Sequence, residues 1–437
     1  MRRVVLGLVC MFLVEGAGLA VEDSVEVSKP EAVGMSSERL GRIVPAMAKY
    51  VDAGKIPGVV SLVARKGQVV HFEAIGQQNV AKNEPMARDT LFRLYSQSKP
   101  VTGVAVMILY EEGHFLLTDP VAKYLPEFSE MKVYLGEEGS EIQTEPARPM
   151  TIQHLLTHTS GLTYDFFGSP VAKMYTKAGS VGAAPMSPHG SLEQWSKALA
   201  QQPLIAQPGT AWNYSVGMDV LGRLIEVTSG QSFGDFLKAR IFDPLGMVDT
   251  AFDVPDSKAS RFAANYAPTP TGGMIMADNP DTSPYRKPAK LEMGGSGLVG
   301  TAADYLRFAQ MLANDGELDG VRILAPSTVD LMMSNHLHSE FPPDPLTSLF
   351  GGGSPLSTAG RAWGLGFGLT GFVAVEPALT GIPMSKGTFS WGGAATTHFW
   401  VDREQELVGI VLTQLIPDGT YPLRQLMQQL TYQAIVE

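Results

Sequence analysis

Ser96 and Lys99 stand three positions apart in Leu94-Tyr95-Ser96-Gln97-Ser98-Lys99-Pro100, where an apolar run from Val101 to Tyr110 begins. A serine hydroxyl is a weak nucleophile until a neighbouring base accepts its proton. Residues three apart on a helix share a face, so the Lys99 amine comes within reach of the Ser96 hydroxyl. A lysine can act as that base when burial or nearby positive charge lowers its pKa. The pair reads as the nucleophile and base of a serine hydrolase that forms a covalent acyl-enzyme. Pro100 fits a helix start, where the first N–H groups lack intrahelical partners in any case.

Spacing alone does not single out this pair. Ser129-Glu130-Met131-Lys132 repeats it in an acidic segment with no apolar helix behind it. A rival nucleophile, Ser232 in Gly230-Gln231-Ser232-Phe233-Gly234, matches the Gly-x-Ser-x-Gly elbow, which requires a strand before the serine. Here Leu221 to Val227 reads as helix, Gly230 as its C-terminal stop and Ser232 as the N-cap of the next helix. His154 and His158 lie four apart, but Leu155 stands where a zinc protease carries its glutamate, so packing and polar contacts are the expected roles. His336 and His338 read as surface residues.

Several elements must position these groups. Ser36 precedes Leu40, Ile43, Val44, Met47 and Val51 at helical spacing. Val59 to Arg65 and Gln68 to Glu73, separated by Lys66-Gly67, predict a β-hairpin. A helix follows over the Thr90 to Gly113 region, and short helical patterns punctuated by Pro and Gly run from about Asp119 to Asp243. Strands return at Phe399 to Asp402 and Leu407 to Thr413, before a helix carrying Leu423, Leu426, Met427 and Leu430. Strands from both ends with helices between predict an α/β (α+β) fold: one antiparallel sheet flanked by helices, with an inserted, mostly helical lobe over roughly 115–290. Ser129 to Pro149 and Phe341 to Gly360 read as long surface loops.

The chain has 437 residues, 44% of them hydrophobic, enough for one large domain over 23–437. Arg2-Arg3, the apolar run Val4 to Val14 and Gly16-Ala17-Gly18-Leu19-Ala20 have the parts of a secretory signal spanning 1–22, so an exported protein, periplasmic or secreted, is expected. The single cysteine, Cys10, falls inside that segment, which leaves the mature chain no thiol nucleophile or disulfide. A net charge of −11 argues against nucleic acid or anionic membrane as a partner. The apolar run is too short for an ordinary span, and no stable membrane insertion is expected after cleavage.

The chain resembles the serine β-lactamase and penicillin-binding-protein superfamily, in the class C-like branch that includes the family VIII carboxylesterases. The resemblance runs from about Glu31 to the C-terminus. It rests on Ser96-Gln97-Ser98-Lys99, Leu155-Leu156-Thr157-His158-Thr159-Ser160-Gly161-Leu162, Pro208-Gly209-Thr210 leading to Tyr214-Ser215-Val216, Ser232-Phe233 through Pro244-Leu245-Gly246-Met247, and Gly294-Gly295-Ser296-Gly297-Leu298. It implies a β-lactamase/transpeptidase-like fold in which Tyr214, with Lys99, moves the proton from Ser96 to the leaving group and then activates water. The family's Tyr-x-Asn has Val216 at its asparagine position. Its third motif, Lys-Thr-Gly in penicillin-recognising relatives, matches Trp391-Gly392-Gly393, the form of the esterase branch, and implies that these three residues line the substrate. By the same match, the backbone N–H groups of Ser96 and Ala394, the latter on an edge strand, form the oxyanion hole.

An indole cannot pair with a substrate carboxylate as a lysine would. Val216 lacks the amide that would hold a substrate amide. Both differences favour hydrolysis of a small-molecule carboxylic ester over a class C-like β-lactamase or D-amino-acid peptidase. A penicillin-sensor-like binding module is the reading from outside the enzymes, and it would not require Ser96, Lys99 and Tyr214 together. The chemistry needs no cofactor or metal, and the sequence signals none.

Overall fold

Every residue from Gly58 to Arg65 is buried, which requires a strand covered on both faces. In the computed structural model, which describes residues 25–139, 141–179, 188–337 and 364–437, this strand lies inside an antiparallel sheet of eight. Residues 1–22, expected to be a secretory signal, and Phe341–Gly360, expected to be a surface loop, lie outside the described residues, as does His338. The strands are β1 (Gly58–Arg65), β2 (Gln68–Asn79), β3 (Glu84–Pro85), β4 (Leu365–Phe367), β5 (Phe372–Ala374), β6 (Phe389–Gly393), β7 (Thr397–Asp402) and β8 (Leu407–Leu412). Their spatial order is β4-β5-β6-β7-β8-β1-β2-β3, so strands from the two ends of the sequence meet at the β1–β8 pair. The predicted hairpin forms with Lys66 at φ 49° and Gly67 at φ 75°, as a two-residue turn matched to strand twist requires.

Alternation along β1 divides the interior. Val60, Leu62 and Ala64 join Phe399, Val401 and Ile410 in the larger core, whereas Val59 and Val63 join Trp400, Leu407 and Val411 in a second layer. That second layer is closed by α1 (Ile43–Asp52) and by the helix Leu423–Tyr432, through Ile43, Met47, Leu423 and Met427. Ser36 accepts a hydrogen bond from Arg39 N and caps Ser37–Leu40, but Gly41-Arg42 interrupts the helix expected to run on to Val51.

The larger core contains α2 (Lys99–Glu111), buried at every position from Lys99 to Leu109. A helix apolar on all sides can be stable only in such an interior. Two further helices, α3 (Gly217–Ser229) and α4 (Ala302–Ala313), contribute Val220, Leu221, Leu224, Phe308 and Leu312 to the same core. The helix expected from Thr90 starts later, because Phe92–Arg93 is extended and pairs with Val299–Gly300.

The segment Ser129 to Pro149 is not an unstructured loop. Lys132–Glu138 and Glu141–Pro146 pair as a hairpin, anchored by the buried Val133 while its exposed face carries the acidic residues. Lys132 therefore starts a strand and shares no helix face with Ser129.

Among the strand residues, His71 is buried and shares a 2.7 Å hydrogen bond between its Nε2 and Ser61 Oγ. Burial, and to a lesser degree Arg88, pushes its pKa down to about 4. The unfolded chain, near 6.5, therefore takes up the proton first. The contribution is complete above pH 6.5 and is lost as pH falls toward 4, with a total on the order of 3 kcal/mol. Urea titrations between pH 4 and 7 should show a smaller loss of stability on acidification in His71→Gln than in the parent; parallel curves would refute this source.

Candidate active site

The segment before Ser96 is fixed from several directions. Arg93 is fully buried, with Nη2 2.7 Å from Asp278, Nη1 donating to the Ala263 carbonyl at 2.6 Å, and its guanidinium 3.9 Å from the Phe262 ring centre. The Gln414 side chain imitates a neighbouring strand: its Oε1 accepts from Arg93 N at 3.1 Å and its Nε2 donates to Arg93 O at 3.2 Å. Leu94 N donates to Leu298 O, and Ser98 Oγ accepts from Leu298 N at 3.1 Å. Between these anchors Tyr95 takes φ 45°, an uncommon conformation for a residue with a side chain. The chain then winds through a short turn, Tyr95–Ser98, into α2.

This geometry brings Ser96, Lys99 and Tyr214 together. Lys99 Nζ lies 3.1 Å from Ser96 Oγ and donates to the Gly295 carbonyl at 2.7 Å. The Tyr214 hydroxyl donates to Ser96 Oγ at 2.6 Å. Lys99 is fully buried, 4.6 Å from the Tyr214 ring centre and 5.5 Å from that of Tyr164. Burial holds its pKa below that of ordinary lysine, and the negative charge of Asp219 opposes part of that effect. Burial also raises the Tyr214 phenol, while its bond to Ser96 acts the other way. A neutral amine and a protonated phenol facing one hydroxyl can remove a proton and return it.

The segment Leu155–Leu162 builds the cradle for Tyr214. Asn213 N donates to His158 O at 2.7 Å, and Asn213 Nδ2 donates to Leu162 O. His158 shares a hydrogen bond with Ser215 Oγ, and its ring lies edge-on to Tyr214 at 4.8 Å. His154 caps the helix Ile152–Leu156, its Nδ1 accepting from Thr151 N. Both histidines thus take the packing and polar roles expected of them. His336 is not a free surface residue: it is half-buried, with one ring nitrogen at Leu331 O and the other at Gln153. Ser232 caps Phe233–Leu237 and accepts from Asp235 N, and Gly230, at φ 72°, ends α3, so no nucleophile elbow exists there.

Trp391 sits on β6 with its ring centre 5.7 Å from Tyr214 and 5.4 Å from Phe367. The strand is not an edge along its whole length. Phe389 and Ser390 pair with β5, and only Trp391–Gly393 run past that neighbour toward Ala394, which follows the strand. Gly393 lies against the Leu94 backbone, and Thr397 Oγ1 donates to Leu94 O at 3.2 Å, tying this end of β6 to the segment that carries Ser96. Gly392 leaves room for His398 on β7, whose Nε2 lies 2.8 Å from Asp418. Val216 is wholly buried and presents nothing to a ligand.

Sequence reasoning missed Asp219 and Tyr164. Asp219 is fully buried on α3 and accepts from Gly295 N at 2.7 Å; the Tyr164 ring lies 5.1 Å from Tyr214. An acid among Met218, Val220 and Leu221 was the available signal.

A family model, Beta-lactamase, matches residues 44–429. Protein Rv1367c of Mycobacterium tuberculosis is 36% identical over 387 residues, covering 85% of this chain and 89% of that one. Esterase EstB of Burkholderia gladioli is 31% identical over 381 residues, covering 84% and 88%. The solved structure of EstCE1, a hydrolase with promiscuous acyltransferase activity, aligns with a TM-score of 0.73 at 27% identity, covering 90% of this chain and 99% of its own.

A Cβ at Gly393 would be driven into the Leu94 carbonyl and Thr397 Oγ1. Gly393→Ala should therefore lower kcat for any reaction at Ser96 by about 10²-fold, as misplacement of reacting groups by an ångström does, while leaving the melting temperature within a few degrees. Unchanged kcat in a folded variant would show that this contact does not set the site.

Proposed function

The chain belongs to the Beta-lactamase family, and we propose that it is a carboxylesterase-type serine hydrolase working through an acyl-enzyme on Ser96. The observation that carries this reading is the Ser96 hydroxyl held between Lys99 Nζ at 3.1 Å and Tyr214 OH at 2.6 Å. Ser96 Oγ attacks the ester carbonyl as its proton passes to the neutral amine of Lys99. The N–H groups of Ser96 and Ala394 take the developing oxyanion. Tyr214 delivers a proton to the departing alkoxide, and the phenolate recovers one from Lys99. Water then attacks the acyl group, giving its proton to the Tyr214–Lys99 pair, and the pair hands that proton to the Ser96 oxygen as the bond to the acyl carbon breaks and the acid is released.

The surroundings favour a neutral, apolar ester. Tyr164, Tyr214, Phe367 and Trp391 form a continuous run of ring contacts beside Ser96, and Phe166, 65% exposed, stacks on Tyr164 at 4.9 Å. Trp391 stands where a lysine would hold a substrate carboxylate, and the buried Val216 offers no amide to a peptide or β-lactam. The relatives support the same class, since EstB is an esterase and EstCE1 a hydrolase.

Initial rates on a short-chain nitrophenyl ester and a chromogenic cephalosporin test the proposal. Ester turnover should exceed cephalosporin turnover, fall by about 10³-fold or more in Ser96→Ala, and fall by about 10²-fold or more in Tyr214→Phe. Faster cephalosporin turnover would make the β-lactamase reading the better one. Ester turnover surviving in Ser96→Ala would remove the nucleophile.

A further inference from the structure

Among the groups around Lys99, one carboxylate has no part in the mechanism so far. Asp219 is fully buried in α3; its Oδ1 accepts from Gly295 N at 2.7 Å, and its Oδ2 has no hydrogen-bond partner. Gly295 is bonded at both ends, because its carbonyl accepts from Lys99 Nζ at 2.7 Å. A Cβ at Gly295 would lie 2.9 Å from Asp219 Oδ2 and 3.0 Å from Tyr164 OH, so only glycine admits these groups at this distance. A buried carboxylate with one oxygen unsatisfied is costly unless a charge of opposite sign compensates it.

The titratable groups facing this pair come from every element packed around it. Tyr164 and Tyr214 are phenols that burial keeps protonated. His158 is held neutral by burial and by the proximity of Lys99. That leaves Asp219 as the anion acting on Lys99 among the described residues.

We propose that Asp219 is a positioning residue for Lys99: through Gly295 it fixes the amine against Ser96, and its charge supports the ammonium that forms when Lys99 accepts the Ser96 proton. The proposal rests on the acyl-enzyme reading above. Burial alone would leave Lys99 neutral but too weakly basic to draw a proton from a hydroxyl; an anion nearby restores basicity without hydrating the site. Burial raises the Asp219 carboxyl above the usual carboxylate range, while the positive charge of Lys99 and the Gly295 N–H pull it back toward the ionised form, so the carboxylate and the amine titrate as a linked pair.

Asp219→Asn keeps an acceptor for Gly295 N and removes the charge. Acylation rates with a nitrophenyl ester, measured by stopped flow from pH 4.5 to 9, should change in two ways. The acid limb, where protonation of Lys99 stops the reaction, should move to lower pH by about one unit, because the amine has lost its anion. The plateau should fall by about 10-fold, because the base is weaker. A purely structural Asp219 would lower the plateau and leave the limb in place, and that result would overturn the proposal. Should Asp219→Asn fail to fold, Asp219→Ala, which removes the carboxylate and leaves no side-chain amide to bury, should displace the limb in the same direction; an unmoved limb there overturns it equally. Loss of the nucleophile reading is distinguishable, since it would show as a burst persisting in Ser96→Ala.

Discussion

Moving an ammonium group from water into a protein interior costs several kcal/mol even after relaxation, and Lys99 has no exposure to solvent. The neighbourhood is arranged around that cost. Aromatic rings of Tyr164 and Tyr214 lie against the amine, the Gly295 carbonyl accepts one of its hydrogens, and Asp219 supplies a counter-charge one residue beyond direct contact. None of this could be maintained on a surface helix, where water would restore the ordinary lysine. The all-round burial of α2 is therefore a chemical requirement as well as a packing outcome, and α3, packed against it, supplies part of the apolar wall.

A second constraint concerns where the hydroxyl points. Tyr95 sits in a left-handed conformation that costs on the order of 1–3 kcal/mol for such residues. It persists because the chain on either side has no freedom to relax. Arg93 is locked by Asp278, Ala263 O and the Gln414 amide, while Ser98 is tied to Leu298. The bend turns the chain from the Phe92–Arg93 strand into α2 and sets Ser96 at the junction, half-buried, beside the wholly buried Lys99. A rigid frame outside the site thus holds a local conformation that the site alone would not.

Local patterns made part of this legible in the sequence. The Ser96–Lys99 pair could be separated from its imitation at Ser129–Lys132 because only the first precedes an apolar helix, and the hairpin turn at Lys66-Gly67 carries its own signature. The antiparallel sheet built from both ends followed from the positions of the strands. Tyr214 came from the family resemblance, since nothing in its own spacing ties it to Ser96. What stayed hidden depends on long-range pairing. The point at which β6 loses its outer neighbour is set by β5, and the relation of Asp219 to Lys99 passes through a third segment at Gly295. The Lys132–Pro146 hairpin was obscured because its acidic, exposed face resembles a loop, with the buried Val133 holding it in place.

The β1–β8 pairing also bears on how such a chain comes to be folded. Val60 faces Leu412, and the Thr413 hydroxyl donates to the Gly58 carbonyl 355 positions away. During synthesis, the first hairpin must therefore wait, with an edge unpaired, until nearly the whole described chain has left the ribosome. Contacts of such sequence separation form slowly and leave strand edges exposed to wrong partners in the meantime. The enzyme cannot become reactive piecemeal. Trp391–Gly393, on the strand beside Tyr95–Ser98, belong to the same late set of strands, so the nascent chain gains the proposed reactive centre only when the sheet closes.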